Sequence, residues 1–455
     1  MKKTILSAVI AATTAFGAQA VTFHQPNAEM EANLNVYGAG VANWEEARLT
    51  QLTMADAHLY HNYAMINHGE KMPLKVIGGL DVSKIMLPNV TPNKEVSLYD
   101  VMRDRGSMSS YVVMNKKGEI LAEDYWNGTD KNTLFHLMSA GKSFSSMATF
   151  IAQEKGLFKL SEPVGKYIKE FRGTPWENIE IQHFADMTSG IIALPENRED
   201  YHWGNLGAGA SGSWDSSMPS VLGYNGHITK EDGTVLPKPD ALGELKGFDD
   251  YVAYFAKNVK PSYGKGEVYE YKDFNTEVLG LLITRTSGMT LAEFVEKNLW
   301  TKAGFNSDVA MYTNHLHESA ASGSLNMTTR DFAIGSYLMV NDGKNWKGEQ
   351  VLPKKLIDQV KNGDEVVKNA WGQVSYESAI AEEAFYKNQW RTVKHPVTGR
   401  VISTMIGVNG QYSAFDHKTG NIVAITGNYR EPSGQAMVMT YVFDTIYTIF
   451  EQLDK

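Results

Sequence analysis

The chain has 455 residues, 43% hydrophobic and 21% charged, with 43 basic against 52 acidic side chains and a formal net charge of −9. That apolar share supports a large buried core and excludes a disordered, mucin-like or collagenous chain, and an acidic balance without basic runs argues against nucleic acid or an anionic membrane as partner. Cysteine is absent, which excludes disulfides, thiolate metal sites, iron–sulfur clusters and a cysteine nucleophile.

In chain order, Lys2 and Lys3 precede an apolar run from Ile5 to Gly17 and the small-x-small signal Ala18-Gln19-Ala20. This reads as a secretory signal peptide over 1–20, too short to span a bilayer. It predicts an exported protein, periplasmic or secreted, with no membrane span in its mature form. Residues 21–100 form an N-terminal extension in which Trp44 to Met65 carries helix-forming residues, and Pro88 and Pro92 mark loop. Tyr111 to Tyr125 alternates around Lys117-Gly118, predicting a hairpin, and Phe135 to Phe158 reads as a helix stopped at Lys155-Gly156. A Gly/Ser-rich stretch over 204–220 lies between helical patterns. Further helices are expected at Leu291–Trp300, Asp331–Val340 and Ala436–Leu453, and β-rich runs between Val401 and Tyr429. Strands near both ends with helices between predict an α+β fold: an antiparallel sheet from both chain ends, flanked by helices, with a helical subdomain inserted at about 150–300 of a 101–455 domain.

The sharpest chemical pattern is Ser139-Ala140-Gly141-Lys142 at the mouth of the predicted helix. Residues three apart share a helical face, so the amine can reach the hydroxyl. The positive helix end favours developing negative charge, and a serine is a weak nucleophile until a neighbour takes its proton. The pattern is cheap, since Ser262-Tyr263-Gly264-Lys265 matches it too, and a capped helix start explains Ser139 equally well on spacing alone. Gly207 to Gly212 fits G-x-G-x-x-G without a preceding strand. His58-x-x-His61 and His315-Leu316-His317-Glu318 lack the further ligands of a zinc pattern, so no metal or cofactor is expected. No Gly-x-Ser-x-Gly elbow exists. Trp203, Trp214 and Trp390 are candidates for lining a cleft, with core packing the other reading.

From Phe135 to Phe171 the sequence FHLMSAGKSFSSMATFIAQEKGLFKLSEPVGKYIKEF resembles the active-site helix of the serine β-lactamase/penicillin-binding-protein superfamily, in its class C-like branch. Asp186-Met187-Thr188-Ser189-Gly190, Tyr269 to Gly280 (YEYKDFNTEVLG), Ser287-Gly288 and Gly323 to Asp331 resemble later landmarks of that branch, in order. The resemblance implies an acyl-enzyme on Ser139, with Lys142 and Tyr271 handling its proton and Tyr269 as the fallback phenol. It also implies a third motif beside the serine. The literal Lys418-Thr419-Gly420 reads as a hairpin tip, so the counterpart is placed at Val408-Asn409-Gly410. The backbone N–H groups of Gln411 and Ser139 then form the oxyanion hole, with Asn409 and Gly410 beside the substrate.

Two departures shape the expected activity. Val408 stands where β-lactamases and D,D-peptidases carry a cation, and Asp273 replaces the usual Asn, where a carboxylate beside Lys142 favours its charged form. GVNGQY is similar in style to 6-aminohexanoate-dimer hydrolase and carboxylesterase members. The expected function is an exported serine hydrolase cleaving a small ester or amide. The alternatives are β-lactamase or D,D-peptidase activity, or a catalytically silent envelope binding protein of the same fold.

Overall fold

Side chains alternate across a strand, and the β-rich runs use that alternation to separate two cores. A computed structural model describes residues 20–36, 38, 49–91, 94–191, 228–229, 235–236, 247–258, 260–373, 381, 383–429 and 435–455. The expected signal peptide, the Gly/Ser-rich stretch, the Gly207–Gly212 pattern, Trp203 and Trp214 lie outside these residues, apart from Ala20.

The main sheet comprises β1 (Lys75–Val76), β2 (Met108–Met114), β3 (Glu119–Tyr125), β4 (Ala384–Lys387), β5 (Trp390–Lys394), β6 (Val401–Gly407), β7 (Gln411–Asp416) and β8 (Ile422–Gly427). Its order is β4-β5-β6-β7-β8-β2-β3-β1. Neighbours are antiparallel except β1 beside β3. The β8–β2 seam, with Ile422 opposite Met114, joins the late strands to the early hairpin, as the sheet built from both chain ends requires. The fold is α+β.

Val112, Met114, Met405, Phe415, Ile422 and Ala424 face the larger core, and the alternate residues Tyr111, Val113, Ile402, Ile406, Tyr412, Val423 and Ile425 face the smaller one. Helices α1 (Gly141–Glu154), α2 (Asp273–Ser287) and α3 (Thr329–Val340) contribute to the larger core. The terminal helix α4 (Gln435–Leu453) closes the smaller one through Val442, Ile446 and Phe450. Helix α1 is buried from Gly141 through Ala152 and packs on α2 and β6. A helix apolar on most sides belongs inside, so the Ser139 turn opens from the interior rather than from a surface helix.

A second sheet runs Thr22–His24, Tyr63–Ile66, Val309–Tyr312, Leu325–Met327, Phe135–His136. It corrects two expectations. Residues 50–66 form two short helical turns and then a strand, rather than the end of a Trp44–Met65 helix. Tyr63 to Ile66 pairs with both Val309–Tyr312 and Thr22–His24, a tertiary contact that outweighs local propensity. The predicted Phe135–Phe158 helix likewise starts as a strand and a 3₁₀ turn before becoming α-helical at Gly141. Beneath this sheet His61 and His136 pack around Tyr312. Burial pushes the imidazoles of His58 and His136 down to about 4 and that of His61 to about 3. Among the described residues no three His, Asp or Glu side chains are grouped to hold a metal. No single described helix is long and apolar enough to cross a membrane; the bent pair Asp273–Ser287 and Leu291–Ala303 passes that test together by composition, and its apolar residues lie in the larger core.

Ile446 is fully buried where α4 meets the sheet. Ile446→Ala is expected to cost about 2–5 kcal/mol of stability through lost burial and a cavity, read as a lower denaturant midpoint with an unchanged slope.

Candidate active site

The chain reaches Ser139 through a constrained turn. After the strand Phe135–His136, Leu137 N–H donates to Leu325 O at 2.8 Å, and Met138 takes a left-handed φ of 49°. A residue with a side chain pays strain there, and such strain collects at functional sites. The 3₁₀ turn Met138–Ala140 follows and leads directly into α1. Ser139 is half-buried at the mouth of that helix.

One turn along α1, Lys142 is 1% exposed. Its Nζ donates to Ser139 Oγ at 2.8 Å and to Ser322 O at 2.9 Å, and it lies 2.6 Å from Asp273 Oδ1. Three acceptors surround a group that carries three N–H donors when charged. The i, i+3 reading of Ser139 and Lys142 therefore holds in space, and Asp273 stands beside the lysine as expected.

Asp273 opens α2, and Tyr271 lies two residues before it. The Lys142 ammonium is 4.9 Å from the Tyr271 ring centre. Tyr271 thus joins Ser139, Lys142 and Asp273 in one place. The fallback Tyr269 does not: it is buried and stacks on Trp371 at 4.9 Å. The segment is anchored by Tyr269 N–H to Ala370 O at 3.1 Å and Glu270 N–H to Met187 O at 3.0 Å. Ser189 Oγ donates to Asn275 Oδ1 at 2.6 Å, docking the Asp186–Gly190 turn on α2. Asp186 itself is fully buried against Lys387 at 2.6 Å; burial still pushes its carboxyl up to about 6.

A cation missed from sequence also lies against the phenol ring. Arg391, on β5 and buried, has its guanidinium carbon 4.8 Å from the Tyr271 ring centre and 5.2 Å from that of Tyr386. Tyr386 meets the Tyr271 ring edge-on at 6.0 Å. Trp390, the neighbour of Arg391 and a cleft candidate, is fully buried beside Phe415 and does not line the site.

The third motif is displaced from its expected place. Asn409 and Gly410 form the turn between β6 and β7, with φ of 63° and 94°, as an Asn-Gly hairpin turn requires. They face Gly427 and Tyr429: Asn409 Nδ2 donates to Tyr429 O at 2.8 Å. Gln411 is fully buried and its Nε2 donates to Gly427 O at 2.6 Å. The backbone that meets the serine turn is that of Gly407, where an added Cβ would lie 2.1 Å from Leu137 O and 3.1 Å from Ala140 N. The close approach expected at Gly410 and Gln411 is made by Gly407, because the hairpin bends the later residues toward the next strand.

The other patterns fall elsewhere. Lys265 of the second Ser-x-x-Lys pairs with Glu180. Lys418-Thr419-Gly420 caps the β7–β8 hairpin, with Thr419 Oγ1 on Asp416 Oδ2 at 2.6 Å. His317 stacks on Phe23 at 3.9 Å.

Gly407→Ala is expected to lower the rate of Ser139 modification by a fluorophosphonate about 100-fold or more, the scale of losing one backbone donor, while the folded far-UV signature persists.

Comparison with known proteins assigns the family and the fold. A family model described as Beta-lactamase matches residues 99–440. The 6-aminohexanoate-dimer hydrolase of Paenarthrobacter ureafaciens is 23% identical over 391 residues, 86% of this chain and 88% of that protein. A candidate 6-aminohexanoate-dimer hydrolase from Bacillus anthracis superposes with a TM-score of 0.73 at 19% identity, covering 95% of this chain and 99% of that one. An octameric penicillin-binding protein homologue from Pyrococcus abyssi superposes at 0.53 with 15% identity, over 76% of each chain.

Proposed function

The chain belongs to the β-lactamase family of serine hydrolases, and from that premise we propose that it cleaves a small amide or ester through an acyl-enzyme on Ser139. The observation that carries this reading is the Lys142 ammonium position, held at once by Ser139 Oγ, Ser322 O and Asp273. In the proposed first half-reaction, Ser139 Oγ forms a bond to the substrate carbonyl carbon and its proton passes to the Tyr271 phenolate. The bond to the leaving amine or alcohol then breaks as Tyr271 returns that proton to it. Water repeats the sequence on the acyl-enzyme. Lys142, with every donor engaged, serves as a fixed positive charge between the hydroxyl and the phenol, and Asp273 holds it there. The carbonyl oxygen is received by the Ser139 N–H and by the N–H of Val408, the first amide past Gly407, in place of Gln411.

The substrate reading is a short or oligomeric amide, with simple esters as alternative acyl donors. It is supported by full-length similarity to an amide hydrolase. Residual β-lactamase or D,D-peptidase activity is the competing outcome. Export rests on the leader at Met1–Ala20, with a periplasmic or secreted destination, a small-molecule partner and no nucleic acid.

A panel of a p-nitrophenyl ester, nitrocefin and the linear 6-aminohexanoate dimer tests this reading. Fluorophosphonate labelling and turnover of the amide or ester are expected in the native chain and lost, by about 1,000-fold or more, in Ser139→Ala. Efficient nitrocefin turnover with no amide or ester turnover would overturn the substrate assignment. Folded protein without labelling would identify a silent binding protein. Asp273→Asn is expected to slow acylation at neutral pH, and an unchanged or raised rate counts against its assigned role.

Arg391 supplies a second electrostatic test. Its guanidinium packs against the Tyr271 ring, so Arg391→Met is expected to slow acylation about 10-fold, the scale of losing a desolvated cation–ring contact. Arg391→Lys is expected to retain part of the rate. An unchanged rate in Arg391→Met counts against a role for Arg391 in the site.

A further inference from the structure

We propose that Glu277 is a positioning residue for Lys142, acting through the backbone of Ala321 and Ser322. The inference rests on the serine-hydrolase reading above and adds to it a group that does not touch the reacting atoms. Glu277 lies one turn beyond Asp273 on α2, so both carboxylates share one helical face. Its Oε2 accepts from Ala321 N–H and its Oε1 from Ser322 N–H, each at 2.9 Å. The segment held in this way continues into the Ser322–Gly323 peptide, whose carbonyl accepts from Lys142 Nζ at 2.9 Å. A chain of contacts therefore runs from a buried carboxylate through the backbone of Ser322, N–H on one side and carbonyl on the other, to the ammonium and on to the Ser139 hydroxyl.

The packing around this bridge is independent support for its rigidity. At Gly280 on α2 an added Cβ would lie 2.7 Å from the Ala321 Cβ, so the helix and the loop meet without room for another side chain. From α1, Ser145 Oγ donates to Ala321 O at 2.6 Å. The Ala321–Ser322 peptide is thus clamped from two helices, and this anchors the residue whose own carbonyl meets Lys142.

A carboxylate buried at 1% exposure is costly, and burial pushes Glu277 up to about 7, with Asp273 adding to the rise and the two N–H donors opposing it. The groups facing it are Asp273 on its own helix, the Ser322 hydroxyl and the two amides on the loop, and Lys142 beyond the Ser322 carbonyl. A purely apolar strut would hold the loop more cheaply. A carboxylate with two amide donors instead fixes the peptide's orientation, which a lysine donor requires.

The test is a double-mutant cycle on the full chain, read as the rate of fluorophosphonate labelling, with kcat and KM for a p-nitrophenyl ester. Glu277→Gln presents an amide N–H₂ to one of two N–H donors and is expected to slow labelling and kcat about 10- to 100-fold, the scale of a small misplacement of a reacting group, with KM within about twofold. In a Lys142→Met background the same change is expected to cost nothing further, because its route of action is gone. The acid limb of the native rate is expected to be steeper than that of Glu277→Gln, since one proton uptake is removed. An unchanged kcat in Glu277→Gln, or an equal loss with and without Lys142, overturns the proposal. If the amide variant does not fold, Glu277→Asp takes its place in the cycle with the same two outcomes. Labelling that persists in Ser139→Ala would instead refute the serine reading itself, so the two failures are distinguishable.

Discussion

A single buried ammonium organises this molecule. Lys142 sits at 1% exposure, where an unpaired charge would cost several kcal/mol. It is tolerated because three elements far apart in sequence each bring an acceptor. The turn before α1 brings the Ser139 hydroxyl, the first residue of α2 brings Asp273, and the loop before the strand Leu325–Met327 brings the Ser322 carbonyl. Moving any one of the three strands a proton of the ammonium in a place water cannot reach. The same contacts that stabilise the charge therefore fix the Ser139 hydroxyl relative to Asp273 and Ser322.

The sheet topology supplies what the lysine alone cannot. The β8–β2 seam joins the late strands to the early hairpin, and only then does β6 lie beside the Ser139 turn. Gly407 ends that strand with its backbone against Leu137 and Ala140, so two amide-bearing segments from opposite halves of the chain face one another across the serine. Beside them β5 delivers Arg391 to the phenol that the α2 approach carries. The helix mouth, the strand end and the aromatic edge are each ordinary elements, and their convergence is set by strand order.

That division explains which parts were legible in the sequence. Ser139 and Lys142 interact through helical spacing, a local rule visible in any window of four residues. Tyr271 and Asp273 stood out because a landmark segment preceded a helix start. The hairpin at Lys117-Gly118 and the tip at Lys418-Thr419-Gly420 follow from turn chemistry. By contrast Ser322, Glu277, Gly407 and Arg391 are ordinary residues until the sheet and α2 bring them in, and Gly407 was overlooked for Gly410 because the third motif was placed by likeness of sequence, which carries no information on which backbone meets the serine turn. An NTEVLG run with one acid on the buried face of an apolar helix was the available signal for Glu277. Residues 50–66 misled for the opposite reason: their propensity is helical, and partners more than 200 residues away on the chain make part of them a strand.

The charges of the site also determine how it can stabilise a transition state. The Lys142 ammonium and the Arg391 guanidinium lie 4.9 and 4.8 Å from the Tyr271 ring centre, while Asp273 contacts the ammonium and Glu277 holds the amides of Ala321 and Ser322. Two cations set against two acidic side chains leave little surplus positive charge beside Ser139 for the negative oxygen of the proposed tetrahedral intermediate. The proposed mechanism therefore places the load on fixed backbone dipoles, which need not reorient as charge develops and act strongly where water is excluded. This accounts for the demands placed on the backbone itself: a left-handed Met138 immediately before the serine and a glycine at the end of β6 that no other residue can replace without collision. In the proposed mechanism the side chains hold and move the proton, and the main chain carries the charge.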